Sequence, residues 1–131
     1  MNAARTAPDL VAVHERLKAI LAPYRTTLAV KDGPQGLTLE LPGYEGKPWG
    51  YAAGTRVGKR YVSYYLMGLY ADAGLKAPMS PELRRRMQGK SCFNFTRIDE
   101  TLFAELEALT RESIARQPKL VEEALAHRPR R

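Results

Sequence analysis

The segment from Trp49 to Tyr70 constrains the fold more than any other part of the chain. It contains two strand-like runs separated by Gly58 and Lys59, and a glycine at the first position of a two-residue connection suits a tight hairpin turn. In the second run apolar side chains occupy both alternating faces, which predicts an interior strand that is covered on both sides or lines a cleft. One predicted face carries Tyr61, Ser63, Tyr65 and Met67, and the other carries Val62, Tyr64 and Leu66.

Two other segments also have the two-residue period of strands. Over residues 28–41, apolar residues alternate on both sides of the turn sequence Asp32-Gly33-Pro34-Gln35-Gly36, which predicts a hairpin with one buried face. Residues 91–96 place Phe93 and Phe95 on one face and Cys92 and Asn94 on the other. They predict a fifth strand.

Helix signals stand on either side of these strands. A first helix is predicted to start at Thr6, with Pro8 in its first turn and Asp9 as its capping-box partner. Apolar residues then recur every three or four positions as far as Leu21, and Pro23 ends the pattern.

A short helix is predicted from Ser80 through Met87, because Ser80 suits the N-cap and Pro81 the first helical position, and Gly89 is placed to end it. A long helix is predicted after its cap, Asp99. At about 100° per residue, Glu105 and Glu112 project to the solvated side of that helix. Pro118 is predicted to end it, with one further short helix beyond.

The order of these elements predicts the α+β class. We expect a five-stranded antiparallel sheet with the N-terminal and C-terminal helices packed on one face. The chain has 131 residues, which is close to the commonest size of one domain. The predicted division is one α+β domain over residues 1–116, followed by a short helix and a basic tail over residues 117–131.

The composition excludes several kinds of site. Cys92 is the only cysteine, so an intramolecular disulfide and a cysteine-based zinc site are both excluded. The first five residues do not resemble a signal peptide, and the most apolar stretch, residues 61–75, is interrupted by Ser63, Gly68 and Asp72. We therefore expect a cytoplasmic protein without a membrane partner.

Three segments together resemble a bacterial family. They are Leu41-Pro42-Gly43-Tyr44-Glu45-Gly46-Lys47-Pro48, Lys59-Arg60-Tyr61-Val62-Ser63-Tyr64-Tyr65-Leu66-Met67 and Lys90-Ser91-Cys92-Phe93-Asn94-Phe95. The chain is similar to the YdhG-like domain family, a group largely of unknown function, over roughly residues 10–114. The resemblance implies an α+β fold. Some members are described as frataxin-like iron chaperones, so iron enters as a cofactor through this resemblance alone.

The net charge of +7 points to anionic partners, and the basic residues are clustered. No acidic residue occurs from Leu83 to Ile98, a segment that contains Arg84, Arg85, Arg86, Lys90 and Arg97. Lys59 and Arg60 lie at the predicted hairpin turn, and Arg56 precedes it. Brought together, these residues would form an anion-binding surface. The alternative is a solvated helix face and a charged turn, which many proteins have.

Tyrosines next to that charge extend the hypothesis. Tyr61 and Tyr65, with Trp49 and Tyr51, could line a pocket for a small anionic or aromatic ligand, or a stacking platform for single-stranded nucleic acid. The alternative is that they are core residues. The predicted ligand-binding residues are Lys59, Arg60, Tyr61, Tyr65, Arg84, Arg85, Arg86 and Lys90.

The remaining motifs and reactive residues do not identify a function by themselves. Gly89-Lys90-Ser91 resembles the end of a P-loop, but Arg84 stands where that motif needs a glycine. Cys92 is a buried thiol or a nucleophile, and the two histidines, His14 and His127, lack metal-ligand spacing. We therefore expect a noncatalytic binding domain whose partner is an anionic small molecule or an acidic protein, with nucleic acid as a weaker candidate. Iron binding and a small enzyme with a tyrosine-lined pocket remain the alternatives.

Overall fold

A computed structural model describes residues 9–126 of the chain. Its helices are α1 (Leu10–Leu21), α2 (Gly68–Ala71), α3 (Pro81–Arg84) and α4 (Glu100–Ala126). Its strands are β1 (Ala29–Gly33), β2 (Gly36–Glu40), β3 (Tyr51–Val57), β4 (Val62–Leu66), β5 (Met87–Gln88) and β6 (Cys92–Phe95). Short 3-10 segments cover Ala22–Thr26, Pro48–Gly50 and Ala73–Lys76. The protein therefore belongs to the α+β class, as the order of the elements predicted.

The strands form one antiparallel sheet in the order β1-β2-β3-β4-β6-β5. This sheet has six strands where the sequence predicted five. The difference arises because α3 ends at Arg84 and the following residues pair with β6: Met87 lies opposite Phe93, and the Asn94 amide donates to the Arg86 carbonyl at 2.8 Å. Gly89, at φ +80, belongs to the turn between β5 and β6 and does not cap a helix.

The core lies between the sheet and the helices α1 and α4. The predicted alternation is confirmed, because Val62, Tyr64 and Leu66 of β4 are fully buried in this core. Phe93 and Phe95 of β6 join them, as do the buried residues of α1, which are Val13, His14, Leu17, Ile20 and Leu21. The alternate residues of the strands lie on the opposite side, which we call the open face of the sheet: Arg56, Ser63, Tyr65, Cys92 and Asn94.

The start of α1 is capped by Asp9, whose carboxylate accepts from the Ala12 amide at 3.0 Å. Thr6, where the sequence predicted the helix to start, lies outside the described residues. So does the predicted basic tail from His127 onward.

The prediction that Pro118 ends the long helix was wrong, because α4 continues without a break to Ala126. Proline cannot donate the hydrogen bond that Ile114 would otherwise accept, and it costs a helix interior about 3 kcal/mol. Contacts on both sides of the proline oppose that cost. The side-chain amide of Gln117 donates through Nε2 to the Tyr51 carbonyl at 3.2 Å, and Val121 is buried. Within residues 9–126, no helix has both the length and the apolar character that crossing a membrane requires.

Candidate functional site

An open groove with a volume of about 790 Å³ lies beside the turn between β3 and β4. A shallower depression of about 400 Å³ adjoins it and shares three of its residues, Gln35, Arg56 and Tyr65. We call the two together the basic groove. Its polar side chains are those of Gln35, Thr38, Tyr51, Arg56, Lys59, Arg60, Tyr61, Ser63 and Tyr65.

The register of the central hairpin brings these side chains together. Arg56 of β3 lies opposite Ser63 of β4, and Gly54 lies opposite Tyr65. Because side chains two residues apart share a face, Ser63 and Tyr65 follow one another along the groove at a spacing of about 6.6 Å. The turn that carries Lys59 and Arg60 extends the groove beyond the pair of Arg56 and Ser63. The groove thus passes from the turn, across Arg56 and Ser63, to Tyr65.

The groove carries positive charge that the described residues do not neutralise. Arg56, Lys59 and Arg60 are exposed, and none of them forms an ion pair with any residue from 9 to 126. No Asp or Glu is among the residues that line either part of the groove. Arg97 lies at the same end of the sheet, because it follows Phe95 by two residues and Phe95 pairs with Val62. An anion in the groove would meet several cations and no carboxylate among the residues that line it.

Two tyrosines form the far wall of the groove. The rings of Tyr51 and Tyr65 lie 6.2 Å apart at an angle of 46°. The phenol of Tyr51 lies over Gly54, at a place where a Cβ atom on residue 54 would collide with the Tyr51 hydroxyl and come within 2.6 Å of the Leu37 carbonyl oxygen. Burial raises the pKa of Tyr51, and the neighbouring Tyr65 and Cys92 add to that effect. The Tyr51 phenol is therefore neutral at physiological pH.

A hydrogen-bonded network crosses the open face beside these tyrosines. Asn94 is its centre: its Oδ1 accepts from Ser63 Oγ at 2.7 Å and from Cys92 Sγ at 3.5 Å, and its Nδ2 donates to Gln88 Oε1 at 2.7 Å. Burial raises the pKa of Cys92, and the neighbouring hydroxyl groups of Ser63 and Tyr65 offset the effect only in part. Cys92 is therefore a neutral thiol in a polar network, which does not favour the nucleophile interpretation.

The predicted ligand-binding residues fall in separate places. Lys59, Arg60, Tyr61 and Tyr65 all line the basic groove. Lys90 lies at the opposite end of β4, because its neighbour Ser91 accepts from the Leu66 amide at 2.9 Å, whereas Lys59 and Arg60 precede the start of that strand.

The three consecutive arginines do not act as one group. Arg84 donates through Nη2 to the Lys76 carbonyl at 2.6 Å and through Nε to the Met79 carbonyl at 3.4 Å, so its side chain fastens the preceding loop. Arg85 is exposed at the C-terminal end of α3. Arg86 lines a small crevice together with Thr96, Arg97 and the carboxylate-bearing Asp99. Its backbone lies level with Ser63 but two strands away, which is about 10 Å.

The most central cation of the groove, Arg56, was not in the predicted set. The sequence showed it only as a basic residue before the turn, and it lies on the same face as Ser63 and Tyr65 because of the pairing register. Gln35 and Thr38 come from the neighbouring hairpin and were also missed. The sequence signal that could have found these residues is the two-residue period of β2, β3 and β4. Counted from the turns that join the strands, this period predicts which side chains share one face of the sheet.

The structure also accounts for the residues relevant to metal binding. His14 is buried, with Nε2 2.7 Å from Thr55 Oγ1, and burial lowers its pKa. Glu105 was predicted to project into solvent, but it is half-buried and accepts from both the amide and the hydroxyl of Ser80, each at 2.6 Å. Helical period alone does not reveal this partner 25 residues away. Among residues 9–126, no three His, Cys, Asp or Glu side chains converge as a metal site would require.

Comparisons with known proteins give no relative. No protein-family model matches the chain, and neither a curated protein nor a solved structure matches it with significance.

Proposed function

We propose that this protein is a noncatalytic binding domain whose basic groove holds an anionic small molecule. The observation that carries the proposal is the charge of the groove: Arg56, Lys59 and Arg60 are exposed and without ion pairs among the described residues, and no carboxylate lines the groove. Guanidinium groups donate two parallel hydrogen bonds to phosphate or carboxylate oxygens, so an arginine at the centre suits such a ligand.

The shape of the groove supports a small molecule over a nucleic acid or an acidic protein. The volume of its larger part, about 790 Å³, lies within the range of roughly 300–1,000 Å³ that small-molecule sites occupy. A single strand would need cations along a continuous track. Here Lys90 lies at the other end of β4, and the Arg84 guanidinium is engaged by backbone carbonyls. We also propose that the protein is cytoplasmic and belongs to the YdhG-like family.

Iron delivery, the activity that the YdhG-like resemblance implies for some members, receives less support. A labile iron site needs exposed carboxylates. In the described part of the chain, Glu105 is engaged by Ser80, and Glu100 forms a two-pronged contact with Arg16 at 2.6 and 2.9 Å. Glu112 is exposed as predicted, but it belongs to no group of three metal ligands among the described residues. Among residues 9–126, no arrangement of side chains favours iron as the ligand over an anion.

Calorimetric titration with inorganic pyrophosphate, at low and at moderate salt, tests the proposal. Arg56→Gln should weaken binding about tenfold or more, because a hydrogen bond to a charged group contributes roughly 1.5–3 kcal/mol. Arg85→Gln is the matched control, since it removes an exposed arginine outside the groove. Equal affinities for the two variants, or no binding of pyrophosphate or of any small phosphate ester to the unmodified protein, would refute the proposal.

A further inference from the structure

The order of chemical groups along the basic groove points to a more specific ligand. We propose that the groove binds a nucleoside monophosphate, with the phosphate at the turn, the sugar beside Ser63 and the base against Tyr65. This inference rests on the proposed anion-binding function and names its ligand class.

The cations of the groove determine where an anion binds. Lys59 and Arg60 lie at the turn, and Arg56 lies one step further along the groove. These are the strongest donors of the groove, and all three are without ion pairs among residues 9–126. An anionic group therefore binds at this end and not beside the tyrosines.

The middle of the groove offers a hydrogen-bond acceptor. Ser63 is opposite Arg56, and its hydroxyl hydrogen is already donated to Asn94 Oδ1 at 2.7 Å. Ser63 Oγ is thus left as an acceptor and disfavours contact with a phosphate oxygen. A donor, such as a sugar hydroxyl, complements it.

The far end of the groove offers two aromatic rings. Tyr65 lines both parts of the groove, and Tyr51 supports it at 6.2 Å. Two neighbouring rings, half-buried and next to open space, offer a surface on which a planar base can stack. Ser63 and Tyr65 are about 6.6 Å apart along β4. The anionic group, the hydroxyl group and the planar ring of the ligand must therefore belong to one compact molecule.

Two phosphorylated probes separate this inference from the function on which it rests. Adenosine monophosphate and ribose 5-phosphate have the same phosphate and sugar, and only the first has a base. We expect adenosine monophosphate to bind about fivefold more tightly or better, which is the lower end of the effect of stacking one base on an aromatic side chain.

The variants assign the difference to one side chain. Tyr65→Leu should abolish the preference for adenosine monophosphate, Tyr65→Phe should keep it because the ring remains, and Arg56→Gln should weaken both probes. Circular dichroism checks that each variant folds. If Tyr65→Leu does not fold, the comparison of the two probes on the unmodified protein still decides.

Each contrary result has a distinct meaning. Equal affinity for the two probes would overturn the nucleotide inference and leave the anion-binding function standing. Failure of both probes and of pyrophosphate would overturn both. Tighter binding of a short single-stranded RNA, with a salt dependence that reports several phosphate contacts, would overturn the choice of a small ligand.

Discussion

The buried hydrogen bond between Tyr64 and Thr110 gives a prediction whose sign can be worked out from the structure. Tyr64 and Thr110 are both fully buried, and their hydroxyl oxygens are 2.6 Å apart. Thr110 Oγ1 is also 2.7 Å from the Leu106 carbonyl oxygen, which can only accept. The single hydrogen of Thr110 therefore goes to Leu106, and Tyr64 must be the donor to Thr110.

This direction makes the two single substitutions unequal. Tyr64→Phe keeps the buried ring and removes the donor, so it should cost about 1 kcal/mol of the free energy of unfolding. Thr110→Val removes the acceptor and strands a buried hydroxyl hydrogen, so it should cost more, about 1–3 kcal/mol. The double variant strands neither group. Its cost should fall below the sum of the two single costs by about 1 kcal/mol.

Urea unfolding of the full chain, followed by circular dichroism, measures the four free energies of this cycle. All four proteins should unfold with the same dependence on urea, which checks that the compactness of the two states is unchanged. Additive costs, or a Thr110→Val variant no less stable than Tyr64→Phe, would refute the assignment of Tyr64 as donor.

Two further predictions concern Gly54 and alkaline pH. Gly54→Ala places a Cβ atom about 2.6 Å from the Leu37 carbonyl oxygen and against the Tyr51 hydroxyl, so it should lower the free energy of unfolding in urea by about 1–3 kcal/mol. Gly33→Ala is the control, because its Cβ atom meets nothing nearer than 4.0 Å. Equal stability of the two variants would contradict this reasoning. Burial raises the pKa of both Tyr51 and Tyr64 above that of an unfolded tyrosine. Their contribution to stability is therefore fully present below pH about 10 and is lost as the pH rises toward their folded-state pKa values. The free energy of unfolding should fall by about 1.4 kcal/mol per pH unit for each tyrosine. Urea unfolding at a series of alkaline pH values should show a shallower decline for Tyr64→Phe than for the unmodified protein, and parallel declines would count against the linkage.

Much of the architecture could be predicted from local patterns. The apolar stripe of α1, the alternation of β4 and β6 and the Asp99 cap, which accepts from the Leu102 amide at 3.2 Å, were all predicted and are confirmed. Each of these features depends on residues within about one turn or two positions of one another. The candidate site was predicted in part for the same reason, since Lys59, Arg60, Tyr61 and Tyr65 are close in sequence.

The sequence by itself thus determined the class of the fold, the buried faces of α1, β4 and β6 and the basic hairpin turn, because hydrophobic period and turn chemistry are local properties. The tertiary structure decided where distant segments meet. Pairing with β6 converted the end of a predicted helix into β5, contacts of Gln117 and Val121 carried α4 past Pro118, and Ser80 took up Glu105. The basic groove has the same origin: the register of β2, β3 and β4 places Arg56 opposite Ser63 and one step from Tyr65, while the Lys76 carbonyl engages Arg84 elsewhere. The physical reason is that pairing and packing energies between segments far apart in the chain outweigh the weaker preferences of single residues.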